Sequence, residues 1–202
     1  MARRRIYSQG AFDGACFLYA LANAYTALTG TTVTMTLWHR AIRGMPYLTD
    51  FLSGTVGTDR YRGDPQVLRF AMERMLAALG GPSRFRVEHT DCTTPDEIAG
   101  LIDRRSVAFL CINRTGGSRP FLDHWVCGVG RGEHPASVRL ACSWKYQRNH
   151  EDYRERLDPE FGRYYNDRFR QEDAARVIPG TVYRVALQRA RTRSRRSRPS
   201  GR

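Results

Sequence analysis

The chain has 202 residues, is 41% hydrophobic and carries a formal net charge of +13. That length buries a sizeable core without splitting, so one globular body is expected. Nothing approaches the roughly eighteen consecutive apolar residues of a membrane span, and Met1-Ala2-Arg3-Arg4-Arg5 leads into a polar turn rather than an apolar signal core.

These features predict a soluble protein with no membrane span, in the cytoplasm or delivered into a host or target cell without a cleavable signal peptide. The five cysteines, Cys16, Cys92, Cys111, Cys127 and Cys142, are odd in number and lack framework spacing, which favours free thiols in a reducing compartment. Residues 189–202 hold seven arginines and no acid, so +6 of the +13 remains for residues 1–188. That tail cannot bury apolar area and is expected to be disordered. It is a generic contact for nucleic acid or an acidic partner. Because Lys145 is the only lysine among 33 basic residues, part of the basicity reads as compositional bias.

In chain order, Phe17, Leu18, Leu21, Tyr25 and Leu28 recur at three- and four-residue steps and predict a helix from about 14 to 28, capped by Gly30. Its alanines suit a helix buried against a sheet. Residues 35–43 read as a shorter helix and 44–63 as a Gly- and Thr-rich connection able to cover a substrate. Asp64-Pro65 opens a helix that Gly80-Gly81 stops. Residues 85–89 alternate as a strand, and Thr94-Pro95-Asp96-Glu97 is a capping box opening a helix to about 103. The apolar run 107–112 predicts a strand covered on both faces, and 124–130 pairs with 138–144 as a hairpin. Helical fragments are expected between 151 and 176, and a last strand at 181–187. Helices first and a mostly antiparallel sheet after define an α+β architecture.

Cys16 stands where a polar turn enters the first helix. A thiol there faces the positive end of the helix dipole, which favours the attacking thiolate. A nucleophilic cysteine needs a base, a group to orient that base, and donors for an oxyanion. His124, at the start of a predicted strand, is the candidate base. Gln9 is the candidate oxyanion donor together with the Cys16 amide.

Gln9-Gly10 ahead of Cys16, Asp13-Gly14-Ala15-Cys16-Phe17-Leu18, and Asp123-His124-Trp125-Val126 followed by Cys142-Ser143-Trp144 resemble the papain-like cysteine peptidase superfamily. The helix resembles the opening of ovarian-tumour-type deubiquitinases. The hairpin resembles the histidine strand and the asparagine-serine-tryptophan corner of papain and of bacteriocin-leader peptidases. The resemblance covers roughly residues 9–30 and 105–146. It implies a papain-like fold in residues 1–188, with the Cys16 helix facing the sheet of His124. It also implies hydrolysis of peptide or isopeptide bonds in a protein or peptide substrate, with no cofactor. Asp13, Gly14 and Trp125 would then line the substrate.

The chain departs from papain at the corner. Cys142 stands where asparagine or aspartate is expected, and a thiol is a poor acceptor for an imidazole N–H. The orienting third member is therefore sought among Asn113, Ser143 and Asn149.

Other readings remain open. Cys16 also reads as a small core residue, and Trp125 and Trp144 as core aromatics. Cys111, Cys127, Cys142 and His124 would be zinc ligands only if they converged, and no paired-ligand spacing supports a metal. The fold would also serve as a non-catalytic binding module that contacts its partner through residues 189–202.

Overall fold

The structure is a computed structural model that describes residues 15–53, 57–81, 84–114, 123–131, 138–143 and 175–188. It is α+β, with five α-helices among the described residues and an antiparallel sheet. Helix α1 spans Cys16–Thr29. It ends as its sequence dictates, because Gly30 takes the left-handed conformation (φ 71°) and donates its N–H to the Thr26 carbonyl. Helix α2, Met35–Arg43, is opened by the Thr34 hydroxyl, which accepts from the Leu37 N–H. Helix α4, Pro65–Gly80, is opened by the Asp64 carboxylate, which accepts from the Gln66 and Val67 amides ahead of a proline-initiated first turn. Arg40 reaches from α2 to the Ala78 carbonyl in the last turn of α4 (2.9 Å). Helix α5, Pro95–Gly100, carries the complete Thr94/Glu97 capping box.

Two stretches differ from expectation. The 44–63 connection contains a short helix, α3, Leu48–Leu52, and a 3-10 turn over Asp59–Tyr61. The helical fragments expected up to 176 fall largely outside the described residues, but Ala175–Val177 is a strand, β5. There the backbone satisfies its hydrogen bonds against a neighbouring strand instead of within a helix.

The other strands are β1 Phe85–Thr90, β2 Ser106–Arg114, β3 His124–Arg131, β4 Val138–Ala141 and β6 Val182–Leu187. Their order is β1-β6-β2-β3-β4, with β5 also paired to β2, and every pairing is antiparallel. The central β2 is apolar on both faces, as its uninterrupted run requires. Phe109 and Cys111 join the core beneath α1 and α4, whereas Ala108, Leu110 and Ile112 join a second core beneath α5. The β3 side chains divide likewise, with Trp125 and Cys127 toward α1 and Val126 toward α5.

Helix α1 crosses its face obliquely. Phe17 meets Trp125, the second residue of β3, at 5.1 Å, and Tyr25 meets Phe85 at 5.9 Å. Phe85 pairs with Leu187, at the end of β6 remote from the Phe109–Tyr183 pair. The N-terminal residue of α1, Cys16, thus stands at the end of the sheet where β3 begins with His124.

Close approach at the other end of α1 depends on Gly80. A Cβ there would lie 2.6 Å from the Phe85 ring and 3.0 Å from the Tyr25 ring. Both rings are buried, so neither yields cheaply. Gly80→Ala is expected to lower stability by about 1–3 kcal/mol in denaturant unfolding, the range for overpacking a tight core.

Candidate active site

Position by position, the amino acids at the start of β3 are held from three sides. Strand alternation turns Trp125 inward toward α1, where it is 1% exposed and lies edge-on to Phe17 and stacked 5.1 Å from Phe109. Its indole N–H is donated to the Thr58 hydroxyl oxygen at 2.6 Å. Trp125 is accordingly packed in the core on the α1 face. The preceding residue, Asp123, forms an ion pair with Arg62. The segment that supplies Thr58 and Arg62 is itself tied to α3, because Tyr61 donates its hydroxyl to Asp50 and Arg60 reaches the same carboxylate at 3.5 Å. Both chain neighbours of His124 are therefore gripped by a stretch that the sequence marked only as a connection.

His124 pairs in register with Ile112, a member of the core under α5. Residues directly opposite in a sheet share a face, so His124 projects on the side of Val126 and Cys142. Its Nε2 lies 3.1 Å from the Cys142 Sγ, and both residues are buried. The corner position set aside on chemical grounds thus meets the imidazole. The signal for it was its place in the hairpin: Ala141 pairs with Cys127, and the next residue, Cys142, turns to the opposite face.

Among the expected alternatives, Ser143 is fully buried one residue farther on. Asn113 lies on β2 in register with Arg176, and its side chain falls outside what the structure describes. Asn149 lies outside the described residues, as do Gln9, Asp13, Gly14, Trp144 and residues 189–202.

Cys16 is the first residue of α1, 9% exposed, and belongs to the core on the α1 face. The first turn of α1 contains no acidic side chain to offset the partial positive charge of its amides. His124 and Cys16 therefore lie near the start of β3 on opposite faces of the sheet. Cys111 and Cys127 lie on the α1 side and Cys142 on the α5 side, so the sheet separates the thiols that a zinc site would need to gather. Among the described residues no group of three or more metal-ligating side chains converges. Burial also pushes the Cys127 thiol far above its ordinary range, which makes it an inert core residue.

Burial acts on His124 in the opposite sense. Loss of solvent around the ring lowers its pKa from 6.5 to about 4. At neutral pH the imidazole is uncharged, with one ring nitrogen protonated and the other a base.

No protein-family model, no curated protein and no solved structure matches this chain. No helix among the described residues is long and apolar enough to cross a membrane.

The buried imidazole has a measurable cost in acid. Between about pH 6.5 and 4 the unfolded chain binds a proton at His124 that the native chain does not, so stability rises with pH across that window and is complete above it. Unfolding of the wild type at pH 4.5 and 7.5 is expected to differ by about 3 kcal/mol from this group alone. That component should vanish in His124→Gln.

Proposed function

We propose that the chain is a papain-like cysteine hydrolase acting on peptide or isopeptide bonds. The Cys16 thiol gives its proton to His124 as it attacks the substrate carbonyl. The tetrahedral oxyanion is held by the Cys16 amide and the Gln9 carboxamide, and His124 then returns the proton to the leaving amine. Water attacks the resulting thioester with the same histidine as base, releasing the acid and restoring the thiol.

The observation that carries this reading is the meeting of Phe17 and Trp125 at 5.1 Å. It joins the residue after Cys16 to the residue after His124. A neutral imidazole supports the reading further, since a general base must arrive unprotonated. The reaction would draw on proton transfer from a thiol biased toward ionisation by the α1 dipole, not on a standing thiolate–imidazolium pair.

One observation favours a second reading, a non-catalytic module of the same fold. The residue against the His124 ring is a thiol, which cannot stabilise an imidazolium as a carboxylate would. Its partner would then be nucleic acid or an acidic protein held by residues 189–202.

Iodoacetamide separates the two. Cys16 of the hydrolase reacts at pH 7 roughly tenfold faster than Cys92, because the α1 dipole and proton transfer to His124 both favour the attacking thiolate. Site-resolved mass spectrometry over a time course reads both rates. Equal rates would favour the binding module.

A further inference from the structure

We propose that the chain forms a two-fold symmetric pair with a second copy of itself through the open edge of β1, joining the two sheets into one. The inference goes beyond the hydrolase reading and does not depend on it, because β6 and β2 stand between β1 and the strand of His124.

Strand β1 lies at the edge of the sheet, paired only with β6 among the described residues. The phase of that ladder is fixed where the Gln188 amide donates to the Arg84 carbonyl at 2.9 Å. Backbone groups alternate between the two sides of an antiparallel strand. Arg86, Glu88 and Thr90 therefore bond toward β6, and the amides and carbonyls of Phe85, Val87 and His89 face the open edge. The Phe85 carbonyl also takes the Gln188 side-chain amide at 3.4 Å, and it keeps a second lone pair. Edge strands are ordinarily blunted by proline, lysine or a bulge. β1 contains neither proline nor lysine, and its register with β6 runs unbroken from Phe85 to Thr90.

Charge complementarity names the occupant. Arg86 and Glu88 share one face of β1 and form an ion pair at 2.7 Å. When β1 pairs antiparallel with its own copy about an axis at Val87, Val87 stands opposite Val87 and Phe85 opposite His89. The outward backbone groups then meet one another and exchange their hydrogen bonds. In the same register Arg86 of each copy stands opposite Glu88 of the other, at the positions where opposed side chains come closest. Moving the axis one residue either way sets Arg86 opposite Arg86 or Glu88 opposite Glu88, like charges that oppose pairing. The Arg86 side chain is 66% exposed and free to reach across the edge, while Glu88 is steadied by Arg184 at 3.3 Å. Because the contact uses the same edge of both copies, association stops at two.

The test is sedimentation velocity of the full chain over a concentration series, combined with amide hydrogen exchange read by NMR. The wild type is expected to pass from monomer to dimer as concentration rises, and the Phe85, Val87 and His89 amides to become protected in the dimer. The Arg86 and Glu88 amides, already bonded to β6, serve as the internal reference. Arg86→Glu, at an exposed position, weakens the dimer by about tenfold or more, since both charge pairs become repulsive. Glu88→Arg does the same, and mixing the two variants restores association, because each glutamate then faces an arginine. Should Glu88→Arg unfold on losing Arg184, the Arg86→Glu variant and the wild-type exchange pattern decide the question. A wild type that stays monomeric, a dimer that Arg86→Glu leaves intact, or a dimer in which the Phe85, Val87 and His89 amides exchange as they do in the monomer overturns the inference.

Discussion

The molecule closes on Phe17, whose ring stacks 4.9 Å from Phe51 and lies edge-on to Phe109 at 5.2 Å and Trp125 at 5.1 Å. Each such aromatic pair contributes about 0.5–1.5 kcal/mol beyond the apolar area it buries. More important is what the cluster connects. Phe51 belongs to α3, Phe109 to the central strand and Trp125 to the strand that starts with His124. A single buried ring therefore sets how deep the N-terminus of α1 sits against the sheet, and with it the position of Cys16. Truncating Phe17 would leave a cavity bounded by three rigid rings, and the two halves of the candidate site would lose their common reference.

The electrostatics of the site follow from that closure. Cys16 lies at the positive end of a helix whose own first turn offers no acid. His124 lies in an apolar setting that resists protonation down to about pH 4. The two environments act on opposite partners: the first favours a thiolate, the second disfavours an imidazolium. Were the pair fully ionised at rest, the second effect would oppose the first. A proton that moves only during attack avoids the standing cost of a buried cation. The chemistry proposed for this arrangement is general-base assistance to a thiol.

Much of this architecture was legible in the residues. The three- and four-step apolar spacing of α1, the Gly30 stop, the Asp64-Pro65 start of α4 and the Thr94/Glu97 box are local signals, and each is realised locally. The unbroken apolar run of β2 declared a strand covered on both faces, and two separate cores cover it. What escaped is tertiary. Helix α3 is too short to carry a periodic signal and exists because Phe51 has an aromatic slot to fill. The grip of Thr58 and Arg62 on the start of β3 joins residues more than sixty positions apart and leaves no trace in either stretch. Trp125 is expected by resemblance to line a substrate, and strand alternation packs it in the core on the α1 face. Cys142 was discounted on acceptor strength, a comparison that holds in water. In the folded chain the Cys142 sulfur nonetheless lies 3.1 Å from the His124 ring, a contact that only the strand pairing brings about.

The central claim is that Cys16 and His124 meet around the end of β3. The most direct measurement is cross-linking of the native chain with the short bifunctional alkylator 1,3-dibromoacetone, followed by peptide mapping. The account predicts a bridged product in which one carbon has displaced bromide to bond the Cys16 sulfur and the other has bonded a His124 ring nitrogen. Capping of Cys16 with no bridge to His124 would contradict it.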